Sequence, residues 1–348
     1  MVFTKIHVLF DKYLMMLGEW KLKPKISDVA KKAGVSKTTV SRVLNNRGYI
    51  SDKTKDLVYK AMEELHYVPN DLARSLYKKR SYIIGLIVPT TSNPFFGELT
   101  FHIENLCDEL GYRVLLCNSS NRSDKEQKYW DMLLRNQVDG VIVITYNRGL
   151  INSDNKKNPV VAIDHYLSDT IPVIGSDNYE GGKQATELLV SKKCKQIIHI
   201  HGPDSLETPA NLRKQAYVDV MNSYSRTPIT YSVENVLDSN NHIKVISTLF
   251  DQHPDVDGIF ASDDLLAAAV IVEAKKREIS IPDQLKVIGY DGTETSKSLL
   301  PELSTIQQPI DQIAKVAIDS LLKMIENENH DLQLETWLPI KLIEGRTT

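Results

Sequence analysis

Residues 26–45, Ile-Ser-Asp-Val-Ala-Lys-Lys-Ala-Gly-Val-Ser-Lys-Thr-Thr-Val-Ser-Arg-Val-Leu-Asn, carry the pattern of two short helices joined by a turn centred on Gly34. Val29, Ala30 and Ala33 give the first helix an apolar face. Gly34 permits the left-handed backbone that a bulkier residue resists, and Ser36 stands where an N-cap is needed for the second helix. Val40, Val43 and Leu44 then point inward. The outer face carries Lys37, Thr38, Ser41 and Arg42, small hydroxyls interleaved with cations, as a helix in a DNA major groove requires to meet base edges and phosphates together. An ordinary surface helix would show Glu and Lys at i, i+4 spacing and few hydroxyls.

Helix pairs of this kind also occur in proteins that never touch DNA, and the charge distribution weighs against that alternative. Residues 21–80 hold fifteen Lys/Arg against six Asp/Glu, a charge of +9, whereas residues 81–348 stand at −12, so the net −3 of the 348-residue chain conceals a basic head on an acidic body. Only the head has an electrostatic reason to sit on phosphates.

Outward from this segment, Asp52–His66 reads as a third helix, with Leu57, Val58, Ala61, Met62 and Leu65 on its inner face. Pro69 ends it, and Asn70–Leu76 follows as a helix too short to be stable alone. From Tyr82 onward, short apolar runs alternate with amphipathic helices. The runs are Ile83–Val88, Val114–Cys117, Gly140–Ile144, Val160–Ile163, Gln196–Ile200, Gly258–Phe260 and Val287–Gly289. Each is expected to be a strand buried on both faces of a parallel sheet, and such βα alternation implies a doubly wound α/β architecture. Ligands in these folds sit beyond the carboxyl ends of the strands, so the polar residues just after each run matter most.

The three cysteines, Cys107, Cys117 and Cys194, form no C-x-x-C pair and fit a reducing cytoplasm better than a disulfide framework or a zinc site. No run of 18 apolar residues suggests a membrane span or membrane partner. Residues 1–22 read as an extension from an upstream start, with natural initiation expected near Leu22. His199-x-His201, Asp164-His165 and Asp263-Asp264 invite a catalytic or metal-binding reading. No third ligand lies at a diagnostic spacing and no G-x-S-x-G or H-E-x-x-H is present, so no catalytic, metal or cofactor site is expected. The two histidines are expected on an edge strand or facing a loop.

From Lys25 onward the chain resembles the lac repressor and purine repressor family of bacterial transcription regulators. The resemblance rests on Asp28-Val29-Ala30, Gly34-Val35-Ser36, Thr39–Asn45, Tyr67-x-Pro69-Asn70, Ala73-Arg74-Ser75-Leu76, Val138-Asp139-Gly140, Asp177-Asn178-x-x-Gly181, Ile288-Gly289-Tyr290-Asp291 and Thr305-Ile306-x-Gln308-Pro309. It implies a helix-turn-helix head at 23–68, a hinge helix and linker at 69–80, and a core at 81–348 like a periplasmic sugar-binding protein. The core's two doubly wound subdomains are expected at about 81–177 with 309–332, and about 178–305 with 333–348.

It also implies a homodimer on a pseudo-palindromic double-stranded operator. Ser36, Lys37, Thr38, Ser41, Arg42, Asn45 and Ala73 would face DNA, and Leu76 would wedge into the minor groove. Arg42 is then expected on a guanine or on a phosphate.

The same resemblance places effector contacts at Phe95, Phe96, Thr145, Asp164, Arg213, Asp263 and Asp291. Carboxylates and an arginine suit vicinal hydroxyls, and aromatic rings suit a sugar face. Each has a plainer alternative: Phe95 or Phe96 as core, Asp263 or Asp264 as a helix cap, Asp291 as a turn cap. Glu207 replaces a cation of the purine repressor, which disfavours an anionic base-like ligand. A neutral sugar, or a sugar phosphate near Arg213, is expected.

Cys117-Asn118-Ser119, Ser123–Glu126 and Ser176–Gly182 resemble the sucrose and ribose repressors of Gram-positive bacteria. A global catabolite regulator with a phosphorylated carrier protein as partner, and a sugar-binding enzyme, are the rivals. Gly292–Lys297 lacks the Arg that the first would need. The C-terminal Ile343–Thr348 shows no Leu heptad, which favours a dimer over a tetramer.

Overall fold

The computed structural model describes residues 24–45, 47–68, 80–145, 158–204, 208–234, 239–327 and 332–348, and the chain divides into two compact units at Lys79/Arg80. The expected extension 1–22, and Ala73 and Leu76 in the expected hinge helix, lie outside the described residues, as does Glu207.

Among its described residues the first unit holds three helices: α1 (Ile26–Ala33), α2 (Lys37–Leu44) and α3 (Asp52–Glu64). Gly34 ends α1 in the left-handed region at φ 66°, its N–H reaching the Ala30 and Lys31 carbonyls. Ser36 Oγ accepts from Thr39 N at 3.0 Å and so starts α2. Val29, Ala30, Val40, Val43, Val58 and Ala61 close the core. Leu57, expected inside, is instead 45% exposed. Val58, Ala61, Met62 and Leu65 already fill the inner stripe at i, i+3, i+4, i+7, and Leu57 falls about 100° of helix rotation off it.

The second unit holds two six-stranded sheets. Its elements are β1 (Ile83–Val88), α4 (Pro94–Glu109), β2 (Arg113–Asn118), α5 (Ser123–Arg135), β3 (Gly140–Val143), β4 (Val160–Ile163), β5 (Val173–Ser176), α6 (Asn178–Ser191), β6 (Ile197–His201), α7 (Asn211–Ser223), β7 (Ile229–Ser232) and α8 (Ser239–Gln252). There follow β8 (Gly258–Ala261), α9 (Asp264–Lys276), β9 (Lys286–Asp291), α10 (Glu294–Leu299), β10 (Ser304–Gln307), α11 (Ile310–Glu326), β11 (Glu335–Leu338) and β12 (Lys341–Ile343). The first sheet runs β11-β5-β4-β3-β1-β2, all parallel; the second runs β12-β10-β9-β8-β6-β7, with only β12 antiparallel. Helices cover both faces of each sheet, as apolar strands with βα crossovers require.

The chain passes between the two lobes three times, after β5, after β10 and after β11. The last crossing corrects the expected assignment of 333–348 to the second lobe. β11 pairs with β5 in the first sheet, Glu335 opposite Val173 through Leu338 opposite Ser176, and only β12 belongs to the second. β2 also departs from expectation. It is an edge strand exposing Arg113 and Leu116, because nothing pairs on its far side among the described residues.

The histidine pair is corrected in the opposite sense. β6 is paired on both sides, by β8 and β7, and His199 is fully buried. Its Nδ1–H donates to the Phe260 carbonyl at 2.9 Å, and its ring stacks on Phe260 with centroids 4.3 Å apart. Burial pushes His199 well below the usual imidazole range, so it is neutral.

Candidate functional site

On the head, the outward residues of α2 are where the sequence places them. Lys37, Thr38 and Arg42 are exposed and Ser41 is half-buried. Ser36 spends its hydroxyl oxygen on the cap, and Asn45 donates its amide to the Ser41 carbonyl at 2.8 Å, closing the end of the same helix. These two hold α2 in shape. The cations and the Thr38 hydroxyl are the groups left facing outward.

In the core, one cavity with about 120 Å³ of water-accessible space opens between the carboxyl ends of the two sheets. At about 30 Å³ per water that space takes about four waters. All seven sequence-chosen residues line it: Phe95 and Phe96 from the start of α4, Thr145 after β3, Asp164 after β4, Arg213 in α7, Asp263 after β8 and Asp291 at the end of β9. The sheet topology explains the convergence, since parallel strands bring successive carboxyl ends to the same edge. Several plainer alternatives hold at the same time. Phe95 and Phe96 are core residues in edge-to-face contact as well as cavity wall. Asp263 caps α9 through Leu266 N at 2.7 Å.

Arg213 organises the site. Its Nε donates to Asn178 Oδ1 at 2.7 Å, its Nη1 donates to the Ser262 carbonyl at 2.7 Å, and Nη1 lies 3.9 Å from Asp291 Oδ1. The guanidinium stacks on the Tyr290 ring 3.6 Å from its centroid. Burial alone would lower the Arg213 pKa, but Tyr290, Asp291, Asp164 and Asp263 around it carry it upward, so it stays charged. The carboxyls move the other way. Burial raises Asp164 to about 6 against the pull of Arg213, raises Asp291 well above the usual carboxylate range, and raises Asp263. Asp164 Oδ1 is buried without a hydrogen-bond partner. Close packing sets these positions. A Cβ on Gly182 would stand 2.5 Å from the Arg213 carbonyl oxygen, and one on Gly175 would stand 2.3 Å from Asp164 Oδ1.

Sequence reasoning did not single out Gln308, Asn178, Glu126 or His201 as site residues. Gln308 Nε2 donates to Asp291 Oδ1 at 2.7 Å while Ser176 Oγ donates to Gln308 Oε1 at 2.6 Å. Thr145 Oγ1 donates to the buried Glu126 Oε2 at 2.7 Å. His201 reaches the cavity wall from β6, its Nδ1–H donating to the Gly202 carbonyl at 2.6 Å. The motifs Asp177-Asn178 and Gln308-Pro309 were visible, but nothing in the linear order says that they meet. Asp264 does not line the cavity. It lies behind it, accepting from Thr305 Oγ1 at 2.6 Å and from Gly292 N at 2.9 Å.

Residues 25–70 match the family model described as bacterial regulatory proteins, lacI family, and residues 186–348 match the periplasmic binding protein-like domain. The chain is 42% identical over 326 residues to the sucrose operon repressor of Pediococcus pentosaceus, covering 94% of this chain and all of that protein. The chain belongs to the lacI family of bacterial regulators. It is also 40% identical to the ribose operon repressor of Halalkalibacterium halodurans, over 93% of this chain and 96% of that one. Among solved structures, it is similar to a periplasmic binding protein/LacI transcriptional regulator from Alkaliphilus metalliredigens QYMF complexed with D-xylulofuranose. That match has 32% identity and a TM-score of 0.69, over 77% of this chain and 99% of that one.

Proposed function

We propose that this lacI-family regulator represses a carbohydrate-utilisation operon, holding operator DNA through α2 and answering to a small sugar in the interlobe cavity. The observation that carries the reading is the convergence of Phe95, Phe96, Thr145, Asp164, Arg213, Asp263 and Asp291, from both lobes, on one cavity. Carboxylates and a fixed guanidinium hold hydroxyls, and the phenyl rings cover an apolar sugar face. Lys37, Thr38 and Arg42 supply phosphate and base contacts, with Ser36, Ser41 and Asn45 fixing the helix that presents them. The working form is a cytoplasmic homodimer on a two-fold operator, since one short reading helix covers only a half-site.

A ligand touching both lobes favours one lobe arrangement over another, so it biases any surface that changes with that arrangement. Sugar and DNA then alter each other's affinity by the same factor. The test is fluorescence anisotropy of the full chain on DNA from upstream of its own gene, with and without sucrose, fructose and ribose. Specific binding whose midpoint moves with one of these sugars supports the reading. Specific binding indifferent to every sugar removes the effector assignment, and no preference over random DNA removes the repressor assignment.

A further inference from the structure

A sugar can arrive at the cavity free or as a phosphate ester. We propose that the cavity takes an uncharged polyhydroxyl ligand and excludes its phosphate esters, because its guanidinium is already engaged by the protein and stands among three carboxylates. This exclusion rests on the sugar reading of the same cavity.

A phosphate group is normally held by a free arginine fork, by lysine, or by the amides at a helix start. Each of these is at least partly engaged among the described residues. Both forks of Arg213 have a member in use, Nε on Asn178 and Nη1 on the Ser262 carbonyl, and Tyr290 covers one face. Lys214, the neighbouring cation, is bound to Asp204 at 2.7 Å. His201 has its Nδ1 proton on Gly202, and burial lowers its pKa, so it brings a neutral ring to the wall.

Three helix starts reach the cavity. At α4, Pro94 carries no N–H and Phe95 N is bonded to Asn93 Oδ1 at 2.9 Å. At α7, the N–H groups of Asn211, Leu212 and Arg213 go to the carbonyls of Thr208, Pro209 and Ala210, each at 3.0 Å. At α9, the capping group is itself a carboxylate, Asp263.

What the wall offers in quantity is acceptors. Asp164, Asp263 and Asp291 present carboxyl oxygens, and the Thr145 hydroxyl proton is already spent on Glu126. An acceptor-rich wall needs a donor-rich ligand. A sugar supplies one O–H per hydroxyl, whereas a phosphate dianion supplies acceptors and charge of the wrong sign.

The experiment is titration calorimetry of the full chain at pH 7.5 with fructose, ribose and sucrose, each beside its ester: fructose 6-phosphate, ribose 5-phosphate and sucrose 6-phosphate. The expected result is that one free sugar binds and its ester binds at least about 100-fold more weakly, the scale of an unscreened like-charge contact. The variant Asp263→Asn keeps the helix cap, since Asn caps as well as Asp, and is expected to narrow that gap by about tenfold. An ester bound as tightly as its free sugar, or a gap that Asp263→Asn leaves unmoved, overturns the exclusion while the sugar site stands. Binding of neither class overturns the sugar reading itself, and the exclusion with it.

Discussion

Arg213→Met replaces the central cation of the cavity by an unbranched apolar chain that ends level with Nε, and its cost should depend on pH in a defined direction. At 3.9 Å from Asp291, the guanidinium attracts the ionised carboxylate by about 4 kcal/mol at an effective dielectric constant of about 20. The substitution also leaves Asn178 Oδ1 and the Ser262 carbonyl without their donor. Breaking a buried pair on one side costs about 3–5 kcal/mol when the remaining charge cannot escape. Here it can escape, by taking a proton.

Asp164 and Asp291 have raised pKa values through burial, Asp164 at about 6, so ionising either one costs stability, which is lost as pH rises through the folded value and leaves Asp164 ionised above pH 7. Without Arg213 both rise further. The variant should therefore be least stable relative to wild type at pH 8, by about 3–5 kcal/mol. At pH 5 only the orphaned hydrogen bonds remain, about 2 kcal/mol. At roughly 2–4 °C per kcal/mol for a unit of this size, calorimetry should show the core transition about 10 °C lower at pH 8 and about half that or less at pH 5. Equal shifts at both pH values would mean that Arg213 does not act through the carboxyls, and the electrostatic account of the cavity would be wrong.

Three further outcomes are expected. Gly182→Ala places a methyl 2.5 Å from the Arg213 carbonyl oxygen, so it should push α6 from α7, cost about 1–3 kcal/mol in core stability and weaken sugar binding by calorimetry. Ser36→Ala removes the acceptor for Thr39 N and should lower the head transition by about 1 kcal/mol while leaving the core transition in place. Arg42→Ala should weaken operator binding by about 1–3 kcal/mol with little change on random DNA if it reads a guanine, and equally on both if it holds a phosphate, as competitive gel shifts would separate.

The parts of the fold that were legible in the sequence are those where a local pattern decides the outcome. Gly34 and Ser36 fix a turn and a cap within three residues, and the Ile83–Val88 and Val160–Ile163 runs fall on their strands because a doubly covered parallel strand needs nothing but apolar side chains. β7, with the half-buried Ile229–Ser232, and β11, led by an exposed Glu335, have no such run, and both are edge strands. Edge strands bury one face only in part, so their apolar signal fades and partner choice is made by the tertiary fold. That is why the last crossing was misplaced. The histidine pair was misread for a related reason. A polar side chain in an apolar run suggests an edge, but His199 finds a carbonyl on the neighbouring strand, and burial keeps its ring neutral.

The seven cavity residues came singly from the family resemblance, and most also stand just after a strand, yet what joins them is carried by residues with no catalytic or ligand-like look. Ser176 ends β5 at the first crossing, Gln308 follows β10 at the second, and the two are hydrogen-bonded at 2.6 Å. Gln308 passes on to Asp291, Asp291 faces Arg213, Arg213 holds Asn178, and Asn178 donates back to the Ser176 carbonyl at 3.0 Å. The loop of contacts closes on the crossing where it began. An amide can sit in such a ring only one way round, because its nitrogen must donate to the Asp291 carboxyl while its oxygen accepts from Ser176. A ligand that takes over part of Asp291 or Arg213 therefore disturbs the groups that fix two of the three strands of chain joining the lobes. This buried ring is where the cavity and the segments joining the lobes share the same hydrogen bonds.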